Sequence, residues 1–388
     1  MCQSYCLQIF RGMLDKMNSK GKMIFFLLII ILTGLMGIRC PIHQQKGEIT
    51  HQNAAEQLFL FSSPITVYGD WQLSMVATSG NGTKINPYIL ENYTIDGMGT
   101  DKCIYIKSTT AYFVIRNCVV YNGTSGIYLE NVTNGLIYNN TITSITLVGG
   151  IELWGGSCYN IISGNNVSLC KNRGIFLISS PYNEIINNYL STNHLGVDLT
   201  GAYYNNITNN TIINSEMHNM LLDSSHNNTI SNNTLSHADA GCILSNSYNN
   251  SFLGNEVLNN YWGFGIEESN ANIFINNSIF NNTRGVCLDK SHFNQIIGNY
   301  LNWNTEIGVY LDESNYNIIT SNNFIHNGEA ILEESNCRGN LVKNNTIIDG
   351  GSIPAFIHLF NILGTIFAGA IYIRKRFMIR GLYIFKKF

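Results

Sequence analysis

An asparagine returns along most of this chain with a period near 22 residues, and no other feature restricts its folding so strongly. Aligned on Asn299, the column runs through Asn117, Asn140, Asn166, Asn188, Asn210, Asn233, Asn255, Asn277, Asn323 and Asn345. Successive spacings are 23, 26, 22, 22, 23, 22, 22, 22, 24 and 22 residues. A second column lies five or six residues upstream: Asn160, Asn183, Asn205, Asn228, Asn250, Asn272, Asn294, Asn317 and Asn340. A third, nine residues before that, is mostly glycine: Gly174, Gly196, Gly241, Gly263, Gly285 and Gly308.

Such a period is too short for helix-pair repeats and lacks a leucine-rich consensus, so it predicts the coils of a parallel β-helix. Segments such as Gly174–Leu177 (GIFL) and Gly308–Leu311 (GVYL) alternate with period two, which places every second side chain inside. Asparagine suits the bends between strands, since it tolerates the left-handed backbone and hydrogen-bonds locally. Identical amides on neighbouring coils can then pair up the stack. Eleven ladder positions imply an all-β solenoid of about 11 coils, roughly 50 Å long.

Two further passages are informative: Gly80–Gly97 (GNGTKINPYILENYTIDG), and Cys103–Ile106 (CIYI) followed by Tyr112–Asn117 (YFVIRN). With the repeats, they resemble right-handed parallel β-helix proteins with pectate-lyase-type coils. More narrowly, they resemble the NosD-like, carbohydrate-binding-and-sugar-hydrolysis repeat proteins common on archaeal surfaces. The resemblance covers about residues 64–350. It implies the fold more than an activity, because such coils carry lyases, hydrolases, epimerases and inert rods alike.

The ends read differently. Basic residues before Met23 precede an apolar run to Ile38, so residues 1–40 are expected to be a signal peptide or N-terminal anchor. Residues 41–63 are expected to be a linker and 64–100 a cap for the first coil, with coils over 101–350. Residues 351–373 form a mostly apolar span, followed by a basic tail over 374–388. By the positive-inside rule this predicts a membrane anchor with a cytoplasmic tail and an extracellular β-helix. Residues 41–352 hold eleven Lys or Arg and twenty-four Asp or Glu, a net charge of −13. A rod so acidic argues against nucleic acid as a partner and repels acidic glycans unless cations intervene. The ten cysteines share no repeat column and include no CxxC, so mostly free thiols are expected.

Outward positions of the first strand of each coil carry the candidate chemistry. Tyr105, Tyr128, Trp154, Phe176 and Tyr310 are candidate sugar-stacking rings, with Glu130, Glu152 and Asp198 among them. Glu267, Asp289, Asp312 and Glu333 read as one acidic column. Bare carboxylates about 5 Å apart repel, and a bound Ca²⁺ would relieve this, although turn formation also explains Asp-x-Ser and Glu-x-Ser. A spacing of 26 residues into Asn166 predicts a loop insertion near Val148–Ser157, a candidate cleft wall. The resemblance to lyases calls for a basic residue beside Ca²⁺, for which Lys107, Arg173, Arg284 and Lys290 are available, none in a recognisable motif. The histidines share no column that brings several to one ion, which argues against copper. These observations point to a membrane-tethered extracellular rod that binds carbohydrate without catalysis. The alternatives are a Ca²⁺-assisted polysaccharide lyase or glycoside hydrolase using the Glu152–Asp198 face, and a passive envelope spacer.

Overall fold

A computed structural model describes residues 60–348. The expected signal or anchor, the apolar span over 351–373 and the basic tail all lie outside the described residues. No helix among the described residues is long and apolar enough to cross a membrane.

Each coil contributes one strand to each of three parallel sheets, of 12, 12 and 13 strands. The first sheet holds strands of six to eight residues through most of its length, such as Lys102–Thr109, Ser125–Val132 and Gly149–Trp154. The second and third hold mostly three-residue strands, such as Ile161–Ser163 and Asn166–Ser168. Registers keep like residues in line: Ile104 pairs with Ile127, Ile127 with Ile151, and Ile151 with Ile175, all with no exposure. Further along, the rings of Phe252 and Phe274 stack at 4.8 Å, with Phe264 edge-on to both. Stacking neighbours therefore bury a continuous core that no single coil could form.

The strands expected at Ile65–Val67 and Tyr88–Leu90 are present, as Ile65–Tyr68 and Tyr88–Glu91. Leu60–Ser62, placed in the linker, is a strand paired with Tyr93–Asp96. The cap itself is a short helix, Gly69–Val76, whose Leu73 is fully buried. It shields apolar surface that an open first coil would expose.

Most bends use the same two-residue device. A residue in the left-handed region is followed by a buried polar residue whose side-chain oxygen accepts the backbone N–H of its counterpart on the preceding coil. In the main ladder, Asn187, Asn209, Asn232 and Asn276 have φ between +53° and +56°, and each precedes a buried asparagine. Asn233 N–H donates to Asn255 Oδ1 at 3.0 Å, Asn255 N–H to Asn277 Oδ1 at 2.9 Å, and Asn255 Nδ2 to the Ile230 carbonyl at 2.9 Å. The ladder runs through Asn140, Asn165, Asn188, Asn210, Asn233, Asn255, Asn277, Asn299, Asn322 and Asn345.

Three expected members are displaced. Asn166 and Asn323 are the first residues of the following strands and point outward, while Asn165 and Asn322 take the buried places. Asn117 is the left-handed residue before Cys118, and it is the Cys118 N–H that donates to Asn140 Oδ1 at 3.0 Å. A shift of one residue reverses the direction of the side chain, so only one asparagine of a pair can enter the ladder.

The second ladder, through Asn160, Asn183, Asn205 and onward, has the predicted positions. Two more ladders were not anticipated. Ser225, Ser247, Ser269, Ser291 and Ser314 link through Oγ at the end of the first sheet. Asn260, Asn282, Asn304 and Asn327 link where the chain re-enters that sheet. This last ladder is interrupted at Ser215 and Ala238. Asn219, standing where neighbouring coils have Gly196 and Gly241, sends its Nδ2 to Asn260 Oδ1 at 3.3 Å. The patch is incomplete, because Asn219 Oδ1 and Ser215 Oγ are buried without partners. Restoring the pattern with Ser215→Asn, Asn219→Gly and Ala238→Asn together is expected to stabilise the protein by about 2 kcal/mol, read as a Tm higher by several degrees. An unchanged or lower Tm would show that the present arrangement is already satisfied.

The glycine column has a steric cause. A Cβ on Gly263 would lie 2.4 Å from the Gly285 carbonyl oxygen, so the coils could not approach. All seven described cysteines are unpaired thiols.

Candidate functional site

The first sheet presents its outward residues in parallel columns. One contains Tyr105, Tyr128, Glu152, Phe176 and Asp198; its neighbour contains Lys107, Glu130 and Trp154. Tyr128 lies opposite Glu152, and Glu130 opposite Trp154, so ring and carboxylate exchange columns at this coil. The exchange keeps the rings continuous. Tyr68, Tyr105, Tyr128, Trp154 and Phe176 form one belt, with successive centroid separations of 5.8, 5.1, 5.8 and 5.6 Å. Edge-on pairs alternate with a stacked pair, the arrangements that aromatic quadrupoles favour.

Cations flank the belt. Lys102 Nζ lies 4.4 Å from the Tyr105 centroid and 4.2 Å from that of Tyr128, and the Arg173 guanidinium lies 4.2 Å from that of Phe176. Glu130 accepts from Lys107 Nζ at 2.7 Å and from the Tyr105 hydroxyl at 2.5 Å. These two donors, Lys107 foremost, hold its carboxyl below the usual range. Burial pushes the Tyr128 phenol up to about 12, with Glu130 and Glu152 adding to the shift. Lys102 and Tyr68 were missed in the sequence because they lie just outside the GIxL-like core of the repeat. Extending the outward alternation past Thr66 would have found Tyr68, whereas Lys102 shares the parity of the inward Ile104 and Ile106, so alternation alone places it inside.

Three candidates lie beneath the surface instead of on it. Glu152 and Asp198 have no exposure, and Phe176 has 4%. The Glu152 side chain fills space left open at Gly149, where a Cβ would come within 3.0 Å of its Cγ. Its Oε2 accepts from Trp154 Nε1 at 3.0 Å, while its Oε1 and Ser125 Oγ are buried without a well-formed hydrogen bond. Burial, opposed by Ser125, Trp154, the Gly149 backbone and Lys102, raises its pKa to about 7. Asp198 accepts from Arg173 Nε and, at 3.1 Å, from the Thr200 hydroxyl. Burial raises its pKa, with Arg173 opposing the shift. The outer surface of this face therefore presents rings and cations, with the two carboxylates buried beneath.

The expected loop insertion is absent. Gly149–Trp154 is a strand of the first sheet, and the chain there gains only a tight turn at Gly155 and Gly156, with φ of +62° and +78°. The actual ladder spacing, Asn140 to Asn165, is 25 residues.

The C-terminal acidic column is also shorter than expected. Glu267 pairs with Asp289, and Asp289 with Asp312, but Glu333 pairs with Leu311 of an inward column and is exposed. Glu333 accepts from Asn340 instead, at 2.8 Å. Among the described residues, no three His, Cys, Asp or Glu side chains converge on a metal ion. Glu267, Asp289 and Asp312 stand in line along the rod, with Glu333 outside that line. His226 stacks between Tyr203 and Tyr248, and His326 packs against Trp303 at 4.2 Å. Three of the basic candidates are engaged: Lys107 with Glu130, Arg173 with Asp198 and Arg284 with Glu306. Tyr310 stands apart from the aromatic belt, with its hydroxyl 3.2 Å from Glu334.

Ladders and three parallel sheets define a right-handed parallel β-helix solenoid of the pectate-lyase-like class. Within that class, residues 102–257 match the family described as "Right handed beta helix region", and residues 213–352 match "Periplasmic copper-binding protein (NosD)". The two matches together span residues 102–352, each less than half of the chain, and make it similar to NosD-like β-helix repeat proteins. Curated proteins provide no match. Solved structures of similar fold include the A-module of the Azotobacter vinelandii mannuronan C-5 epimerase AlgE4, at 15% identity and TM-score 0.51, covering 73% of this chain and 98% of that one. A mutant form of the periplasmic alginate epimerase AlgG has 14% identity and TM-score 0.51, covering 74% and 85%. The Dettilon tailspike protein has 15% identity and TM-score 0.51, covering 67% and 62%. At these identities the likeness is one of fold.

Proposed function

We propose that the protein is a membrane-tethered rod that binds carbohydrate outside the cytoplasm, along the first-sheet face, without chemical conversion. The observation that carries this reading is the belt of Tyr68, Tyr105, Tyr128 and Trp154, laid along the rod with Lys102 beside it. Sugar rings present apolar C–H faces that stack on aromatic rings, and a line of rings suits a chain of sugars better than a single one. A location outside the cytoplasm is supported by the periplasmic description of the NosD family and by the leader and anchor read from the sequence. Alginate epimerases and a tailspike among the folds of similar shape support a glycan as ligand. The burial of Glu152 and Asp198 supports binding over catalysis, since neither carboxyl reaches a substrate on the surface.

Size-exclusion of the full chain in detergent, mixed with a panel of neutral, basic and acidic polysaccharides, tests the reading. Co-migration with at least one polymer of unchanged length is expected. Affinity should fall about tenfold or more in Tyr128→Ala/Trp154→Ala, as for loss of two stacking platforms. Shortened polymer would establish an enzyme, and absence of co-migration across the panel would favour a spacer.

A further inference from the structure

The motif Asn-x-Ser/Thr, with x other than proline, recurs along this chain, and its copies differ in what the asparagine amide is already doing. At Asn122, Asn131 and Asn139 the Nδ2 group is a donor, to Asp96, Ser108 and Asn117. Asn209, Asn232 and Asn276 are left-handed bend residues, and the hydroxyl residues of their motifs, Thr211, Thr234 and Ser278, open the next strand. No hydrogen bond joins asparagine to hydroxyl in these three. Such copies follow from the fold: a ladder asparagine in the middle of the motif puts an outward strand residue, free to be Thr or Ser, two places after the bend residue.

Asn81-Gly82-Thr83 is built differently. It lies in a loop between the capping helix and the strand Tyr88–Glu91, with Asn81 and Thr83 both exposed. The Asn81 N–H donates to the Asn86 carbonyl at 3.0 Å, and the Asn86 N–H to the Thr83 carbonyl at 3.1 Å. Inside this turn the Thr83 hydroxyl donates to Asn81 Oδ1 at 2.8 Å, and the Thr83 N–H donates to the same oxygen at 3.3 Å. Asn81 Nδ2 forms no hydrogen bond among the described residues. Two donors on Oδ1 stabilise the charge that reaches this oxygen when Nδ2 loses a proton, so the amide nitrogen is exposed, unengaged and activated. Asn206 accepts a similar bond from Thr208 at 2.7 Å, but both belong to a strand held between neighbouring coils at Glu184 and Thr229.

We propose that Asn81 is a site of N-linked glycosylation, taking its sugar from a lipid-phosphate-linked oligosaccharide. Nδ2 forms a bond to the anomeric carbon as the bond from that carbon to the phosphate oxygen breaks. The amide proton goes to a base of the transferring enzyme, and the lipid phosphate leaves with the electron pair. The hydrogen bonds of this turn join residues at most five apart, so it needs no stacked coils and forms whether or not the rod is complete. The inference rests on the location outside the cytoplasm proposed above.

The full chain and its variants would be isolated from the native cells and digested with trypsin, which cuts after Lys84 and so separates Asn81 from Asn92. Mass spectrometry is expected to find an oligosaccharide on the peptide ending at Lys84, and a chymotryptic digest to show much lower occupancy at Asn232 and Asn276. The added mass should be lost in Asn81→Gln and in Thr83→Ala and kept in Thr83→Ser, which retains the hydroxyl. A bare Asn81, an oligosaccharide that survives Thr83→Ala, or equal occupancy at Asn276 overturns the proposal. Labelling of the lysines in spheroplasts with a membrane-impermeant reagent separates the two readings. A labelled rod with a bare Asn81 removes the site and leaves the location standing, whereas a rod labelled only after lysis removes both.

Discussion

Replacing Asn255 with alanine should cost about 3–5 kcal/mol, enough to lower Tm by roughly 10 °C in a domain of this size. Asn255 is 1% exposed, and its Oδ1 accepts from both the N–H and the Nδ2 of Asn233. Its Nδ2 donates to the Ile230 carbonyl and to Asn277 Oδ1, each at 2.9 Å. Truncation leaves the Asn233 N–H and the Ile230 carbonyl buried without these partners, at about 1–3 kcal/mol each, and adds a small void. Asn166→Ala provides the control. That side chain is exposed and outside the ladder, so a change within about 0.5 kcal/mol is expected. Thermal melts of both variants check the claim. Equal losses at the two sites would refute the ladder register described above.

The second large effect is on pH dependence. Burial raises the Glu152 carboxyl from an ordinary 4.5 to about 7, so between those values the folded protein holds a proton that the unfolded chain releases. Stability contributed by the neutral form is full below pH 4.5 and declines as pH rises through 7. The total is about 3 kcal/mol at most, since each pKa unit is worth about 1.4 kcal/mol. Glu152→Gln keeps the shape and cannot ionise. The variant should match the wild type near pH 4 and exceed it at pH 8, by several degrees in Tm. Greater stability of the wild type at pH 8 would mean that the ionised carboxylate is stabilised in place, by Trp154 and Lys102, and that this account of Glu152 is wrong.

The same residues show why the fold was easier to read than the site. A buried ladder needs an amide on every coil, so asparagine columns near 22 residues apart announce the coils directly. Asn-Asn pairs such as Asn139-Asn140 and Asn344-Asn345 do not say which member turns inward. In Asn165-Asn166 and Asn322-Asn323 the ladder takes the first, whereas in Asn139-Asn140 it takes the second and the first is left-handed at φ +53°. Glu333 was misplaced for a related reason. Its strand, the last of the first sheet among the described residues, pairs it with Leu311 and leaves the carboxylate exposed in a leucine column.

By itself the sequence determined the solenoid, its period, the inward Ile and Leu columns and the close glycine contacts, because each repeats and each repetition constrains the next. It also placed rings and acids on the first-sheet face, since outward residues alternate with inward ones. Tertiary structure decided which of them remain available. Glu152 sinks into the space at Gly149, Asp198 is held by Arg173, and the rings of Tyr128 and Trp154 close over a column exchange that sequence order does not show. Burial on such a face depends on the sizes of neighbours one coil away, some 22 residues distant along the chain. That information resides in the stacking of coils and in no single repeat.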